Sequence, residues 1–377
     1  MVRHYDAIVI GAGSMGMAAG YYLARQGVKT LLLDSGDPPH QWGSHHGDTR
    51  IIRYAYGEGR LYVPLALRAK ELWSELAEET GKRLFVQTGV LSAGLADAPF
   101  LREVQESAAQ YSLPLEVLDA AEVGRRWPGI RLPAEFIGCF EPTSGVLYSE
   151  ECIRAYRSRA LACGAELRIG ERVTGIRAER DGAIVQTQTD TYSGSTLLIS
   201  AGAWNAGLLA SLGLSLPLTP TRKTVSWFAA DEQLYSADRF PAFLFTLADS
   251  MFYGFPSLDG AGVKVGRHDG GQPADPDLLD RTFGLYPSDE ADTRSFLERF
   301  MPQAAGPLRQ GKVCLYTYTP DEHFIIDRHP EYPHIVIAAG FSGHGFKFAS
   351  AVGEAASQLI TRGKSEIDLS LFAVTRF

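Results

Sequence analysis

Three glycines at fixed spacing, in Gly11-Ala12-Gly13-Ser14-Met15-Gly16, stand between an apolar run and a helix-forming run. In that setting Gly11 permits a tight turn, Gly13 lets the backbone approach a pyrophosphate, and Gly16 lets a helix pack on a strand. The helix N-terminus then offers free N–H groups and partial positive charge to phosphates. Asp34, 18 residues beyond Gly16, ends the next apolar run and is placed to accept a hydrogen bond from a ribose 2′-hydroxyl. An acid there favours an unphosphorylated ribose, which disfavours NADP and leaves NAD and FAD equally open.

Cations form the second group of candidates. Arg50 and Arg53 share a short segment with His46 and Asp48, a pattern also met in solvated loops with surface ion pairs. Val263 to His268 alternates, which on a strand puts Lys264, Gly266 and His268 on one face and Arg267 on the other. A lysine on an inward face is costly unless paired or used, and snorkelling to water is the other outcome. Gly340 to Lys347 carries three glycines ahead of a helix-forming run, so its backbone can approach a ligand closely. Gly202, after Leu198-Ile199-Ser200-Ala201, offers a second such approach. Cys139, Cys152, Cys163 and Cys314 are widely spaced with no Cys-x-x-Cys pair, so neither zinc site nor disulfide framework is indicated, and no metal is expected. A lone cysteine such as Cys314 is ordinarily a small buried hydrophobe.

The elements that must position these residues begin with a strand at Tyr5–Ile10, a helix from Met15 to Gln26 and a strand at Lys29–Asp34, one βαβ unit of a parallel sheet. After a loop rich in Gly, His and Pro, a helix is expected over about Leu61–Glu79. Trp127-Pro128-Gly129 marks a turn, and Ser149–Gly164 reads as a helix followed by strands at Glu166–Ile169 and Thr196–Ser200. Pro217 to about Thr319 alternates aromatic and polar residues, as an antiparallel sheet with one ligand-facing side would. Ile335–Ala339 is a further apolar strand, with a helix over about Phe346–Thr361.

Beyond these patterns, ordered blocks carry a resemblance. They are Gly43-Ser44-His45-His46-Gly47-Asp48-Thr49-Arg50-Ile51-Ile52-Arg53, Tyr253-Gly254-Phe255-Pro256, Lys264-Val265-Gly266-Arg267-His268, Cys314-Leu315-Tyr316-Thr317, Asp321-Glu322-His323-Phe324-Ile325-Ile326-Asp327 and Gly340 to Lys347. In that order, from residue 5 to about 372, the chain resembles the sarcosine oxidase and N-methyltryptophan oxidase family of FAD-dependent amine oxidases. The resemblance implies FAD and an α/β fold: an FAD-binding Rossmann-like domain of the glutathione-reductase/p-hydroxybenzoate-hydroxylase type with a discontinuous mixed-sheet substrate domain. Residues 1–85, 149–216 and 320–377 fall to the FAD domain, and 86–148 and 217–319 to the substrate domain.

Site roles follow residue by residue from the same resemblance. Cys314 matches the cysteine that forms a thioether to the flavin 8α-methyl group. Arg53 and Lys347 match a carboxylate-binding pair, in which an arginine fork takes both oxygens and a lysine adds a point charge. Lys264 matches the lysine that activates oxygen, and Arg50 an arginine lying against the flavin. His268, Tyr253 and Tyr316 match cavity-lining residues, with Gly343 beside the substrate and His46 near the flavin. Gly11, Gly13, Gly16, Asp34, Ser44, Thr49, Gly202 and Gly345 fall to the cofactor. His45 and Arg267 receive no role. The activity implied is oxidative demethylation of sarcosine or a similar small secondary amino acid to glycine, formaldehyde and hydrogen peroxide. A bulkier N-methyltryptophan-type substrate, or a dehydrogenase using an acceptor other than oxygen, are the alternatives.

Composition limits the partners. At 377 residues the chain fits two domains, and 45% hydrophobic with 21% charged residues is an ordinary globular balance. A net charge of -8 argues against a nucleic-acid partner. No apolar run approaches a membrane span. With no leader pattern from Met1 to Asp6 and no Ser-Lys-Leu ending, the cytoplasm is expected. The family is monomeric, so a monomer is expected.

Overall fold

The structure, a computed structural model, describes residues 2–377; Met1, where the stretch read for a leader begins, lies outside them. Two large sheets organise the chain. In the eight-stranded sheet, Glu166–Arg168, Thr30–Leu33, Arg3–Ile10, Thr191–Ile199 and Ile335–Ala339 run parallel in that order. Ile325–Arg328 closes one edge antiparallel, and the hairpin Val173–Glu179 and Gly182–Thr187 extends Thr191–Ile199. Ala7 to Ile10 and all of Thr30–Leu33 are buried, as continuous apolar strands covered on both faces must be. Helices Ser14–Arg25, Val63–Thr80, Ser149–Ala162 and Ala349–Arg362 share one apolar core with this sheet.

The nine-stranded sheet takes its strands from 90–141 and 219–318. It is antiparallel except that Ala242–Thr246 runs parallel to Val90–Leu95. Alternation sorts its faces. Val263, Val265, Phe243, Phe245 and Phe252 enter a core behind the sheet, while Lys264, Tyr253 and Met251 face a cavity in front. The reading of 217–319 as sheet alone misses helix Ser288–Phe300, whose Phe296, Leu297 and Phe300 recur at helical spacing and fill that rear core. Phe296 stands 4.6 Å from Phe252, 5.0 Å from Phe245 and 5.4 Å from Phe300 between ring centroids, each pair worth about 0.5–1.5 kcal/mol beyond burial. Helix Pro99–Gln110 also goes beyond the sequence reading. A small antiparallel sheet of Thr49–Ile52, Gly145–Tyr148 and Phe85–Val86 carries the Arg50 and Arg53 segment. No helix among the described residues is long and apolar enough to cross a membrane.

Candidate active site

The glycine loop has the expected form. Gly11 has φ +88°, and a Cβ on Gly16 would lie 2.0 Å from the Gly11 carbonyl oxygen and 2.7 Å from Ser200 Oγ, so only glycine fits. Helix Ser14–Arg25 begins with no side-chain cap, leaving its first N–H groups free for an anion. Asp34 is buried at the end of Thr30–Leu33 and already serves the loop: its Oδ2 accepts from Ala12 N at 2.8 Å and its Oδ1 from Gly36 N at 2.9 Å. His40 Nε2 lies 3.0 Å from Oδ1. His45, without a role from sequence, packs beside this loop and accepts at Nε2 from His40 N at 3.2 Å. Gly202 has φ +56° with open space at its Cβ position.

One cleft gathers most of the other candidates, while Ser44, Thr49 and Gly345 do not line it. It holds about 740 Å³ of unfilled space, the part open to solvent included, and is lined by Arg50, Arg53, Lys264, His268, Cys314 and Lys347 together with His46, Tyr253, Tyr316 and Gly343. Gly343 has φ +79°, and a Cβ there would meet the Tyr316 ring at 2.2 Å, so this turn passes flat against the wall. Tyr316 donates to Tyr253 Oη at 3.2 Å.

The cations are held in different ways. Arg53 is buried against the Tyr56 and Phe100 rings, 4.3 and 5.2 Å from their centroids. Its Nη2 donates to Glu58, while its Nη1 is buried without a partner. Burial works against the Glu58 carboxylate, but the adjoining Arg53 charge prevails and holds it down at about 2. Lys347 Nζ donates to His344 O at 2.7 Å and Tyr56 Oη at 3.2 Å. Burial, reinforced by Arg53, brings its ammonium down to about 7. Arg50 donates to Thr49 O, Ser44 O and His46 O at 2.6–2.8 Å.

Lys264 donates to Gly47 O at 2.6 Å, Thr49 O at 2.9 Å and Thr49 Oγ1 at 3.1 Å, with the Phe255 ring centroid 4.3 Å away. Burial and then Arg50 push its ammonium well below the usual lysine range; three oxygen acceptors oppose that shift. Burial brings His268 down to about 4 and, with Arg50, His46 to about 3, so both imidazoles are neutral at pH 7. Cys314 is buried, which raises its thiol, against the lowering charges of Arg50, Lys223 and Lys264. Arg267 points away, paired with Asp269 and Asp292.

Glu58 and His344 line the cleft without having been singled out from sequence. The signals were there: Glu58 is a lone acid between Gly57 and Gly59, five residues past Arg53, and His344 lies inside the glycine-rich block. Lys223 was also passed over. It pairs across the strands with Cys314 and donates to the consecutive carbonyls of His268, Asp269 and Gly270 at 2.5–3.0 Å, which fixes the turn that presents His268.

Two observations fit these residues to a flavin dinucleotide. The uncapped, glycine-lined helix start suits a pyrophosphate. In the cleft, both ring nitrogens of His46 are buried without a partner, which is costly unless a polar group meets them. A dinucleotide unit joined to a cleft of buried cations under a mixed sheet defines the class of flavin-dependent oxidoreductases.

Comparison with known proteins makes this specific. The chain matches the family described as FAD dependent oxidoreductase over residues 6–359 and belongs to it. It is 54% identical to the monomeric sarcosine oxidase of Bacillus sp. (strain B-0618), covering 100% of this chain and 97% of that one. It is 43% identical to the N-methyl-L-tryptophan oxidase of Yersinia pestis (strain Pestoides F), covering 99% of each. Among solved structures, L-proline dehydrogenase from P. horikoshii superposes with a TM-score of 0.89 at 23% identity, covering 100% of this chain and 98% of that one; at that identity the likeness is one of fold.

Proposed function

We propose that this cleft oxidises the N-methyl group of sarcosine or a similarly small secondary amino acid, with oxygen as acceptor, giving glycine, formaldehyde and hydrogen peroxide. The observation that carries the reading is the pair of buried cations with donors to spare: Arg53 Nη1, which has no partner, and Lys347, which uses two of its three protons. Two such donors in one cavity suit one carboxylate. His268, neutral above about pH 4, and the Tyr253–Tyr316 pair form a polar wall for the amine, and His268 can take its proton. FAD, when bound, supplies the electron acceptor for carbon–hydrogen cleavage.

Lys264 is held by Gly47 and Thr49 as a fixed cation for negative charge developing on oxygen. Cys314 lines the same cleft and would tether the flavin through its Sγ. Leu244, Met251, Tyr253 and Phe255 crowd the wall, which favours a small substrate over an indole-bearing one. Gly11, Gly13, Gly16, Asp34 and Gly202 would serve the dinucleotide, with Ser44, Thr49 and Gly345 nearer the ring. A cytoplasmic monomer completes the reading. Assay of the purified holoenzyme for formaldehyde and peroxide with sarcosine and with N-methyl-L-tryptophan tests it. A higher kcat/KM for the indole substrate, or turnover that needs an added acceptor and makes no peroxide, would overturn it.

A further inference from the structure

Two like charges, Arg53 and Lys347, share this cavity, and the Arg53 charge disfavours the Lys347 ammonium. Something must hold them together before any carboxylate arrives. Tyr56, fully buried, touches both: its ring faces the Arg53 guanidinium at 4.3 Å and its hydroxyl lies 3.2 Å from Lys347 Nζ. The ring supplies an attractive face to one cation, and the oxygen supplies an acceptor to the other.

The direction of each hydrogen bond is fixed by chemistry. His344 Nε2 lies 3.1 Å from the Glu322 carbonyl oxygen, which can only accept, so Nε2 carries the proton. The ring is buried and neutral, so Nδ1, 2.7 Å from Tyr56 Oη, is a bare acceptor. Tyr56 must therefore donate to His344, which turns a lone pair of its oxygen toward the Lys347 ammonium. Lys347 also donates to the His344 carbonyl at 2.7 Å, leaving its third proton for the cavity.

We propose that Tyr56, oriented by His344 against the Glu322 carbonyl, is the positioning residue that sets the spacing of Arg53 and Lys347 and so selects amines that carry a carboxylate. This rests on the reading of Arg53 and Lys347 as the carboxylate site. Without the hydroxyl, Lys347 loses one of two acceptors and is free to swing, while the ring under Arg53 stays. Hydrogen bonds to charged groups are the stronger kind, so the loss falls on binding.

The test is steady-state kinetics of the flavin-loaded Tyr56→Phe variant with sarcosine and with N-methylbenzylamine, which has no carboxylate, plus acetate as a competitive probe. The expected result is a KM for sarcosine and a Ki for acetate raised about tenfold or more. In the same variant kcat changes less than about threefold, and kcat/KM for N-methylbenzylamine moves less than about twofold. An unchanged sarcosine KM and acetate Ki overturns the proposal. Lys347→Met separates this from failure of the underlying reading: if Lys347→Met raises the acetate Ki and Tyr56→Phe does not, only the role of Tyr56 falls. If neither moves it, the carboxylate site itself is misassigned. Should Tyr56→Phe lose its flavin, His344→Gln, which can still accept and donate, is compared with His344→Leu. A raised KM in Leu but not Gln supports the link, and equal values in both overturn it.

Discussion

Arg53 gives one edge of its guanidinium to Glu58 and keeps Nη1 unpartnered, so the free enzyme already holds a carboxylate against the group that is to bind one. Glu58 lies on a glycine-flanked turn and keeps 21% of its side chain exposed, so it can be displaced. Replacing it with Gln removes the competing charge while keeping an acceptor. Acetate should then bind more tightly, by about three- to tenfold, and stability at pH 7 should fall by about 1–3 kcal/mol through the weakened pair. The folded-state value near 2 lies below the ordinary 4.5. The pair's contribution is therefore complete above about pH 4.5 and lost as pH falls toward 2. Thermal unfolding of the two forms should differ at pH 7 and converge near pH 2; a constant difference would refute the coupling.

Burial brings the Lys347 ammonium down to about 7, with Arg53 and Arg50 lowering it further, Glu58 raising it and neutral His344 and His268 nearby. Its ammonium is present below that value and lost above it. Acetate, an anion throughout, should bind with constant affinity below pH 7 and weaken by up to about tenfold per pH unit above it, until Arg53 alone is left. Flavin absorbance titrations across pH 6–9 check this. Lys347→Met should give a weak, flat profile.

Much of this arrangement was legible in the sequence because it is local. Alternation in Val263–Arg267 alone puts Lys264 on the face opposite Val263 and Val265, and the glycine loop announces itself through spacing. What escaped depends on tertiary approach. Tyr56 meets His344 and Lys347 across 288 and 291 residues, and no spacing rule connects them. Lys223 finds three carbonyls only because Gly270 and Gly271 turn the chain at φ +67° and +95°. Helix Ser288–Phe300, by contrast, was readable from its Phe296, Leu297 and Phe300, but the aromatic alternation around it drew the whole stretch into the sheet.

Cys314 sits on Leu308–Tyr318 beside Lys223 of the neighbouring strand, within the fields of Arg50 and Lys264. Burial disfavours its thiolate, and those cations favour it. A tether formed there should keep yellow colour with acid-precipitated protein. Cys314→Ser should release the flavin into the supernatant under the same treatment. Free flavin from the unaltered protein would rule the tether out.

Lys264 offers the sharpest separation of the two half-reactions. Its ammonium is anchored by oxygens of Gly47 and Thr49 and flanked by the Trp227 and Phe255 rings, so it has little freedom to follow a substrate. Substrate binding in our reading is assigned to Arg53 and Lys347 instead. A fixed cation in a dry site stabilises charge as it forms on oxygen, and loss of one such preorganised donor typically slows a step by about 10²–10³-fold. Lys264→Met keeps the length and apolar stem of the side chain but not the charge. Anaerobic bleaching by sarcosine should then proceed within about fivefold of the unaltered rate. Reoxidation by air should slow by about a hundredfold or more. Equal slowing of both steps would instead assign Lys264 to the general structure of the cleft, because a distorted site has no reason to spare one half-reaction.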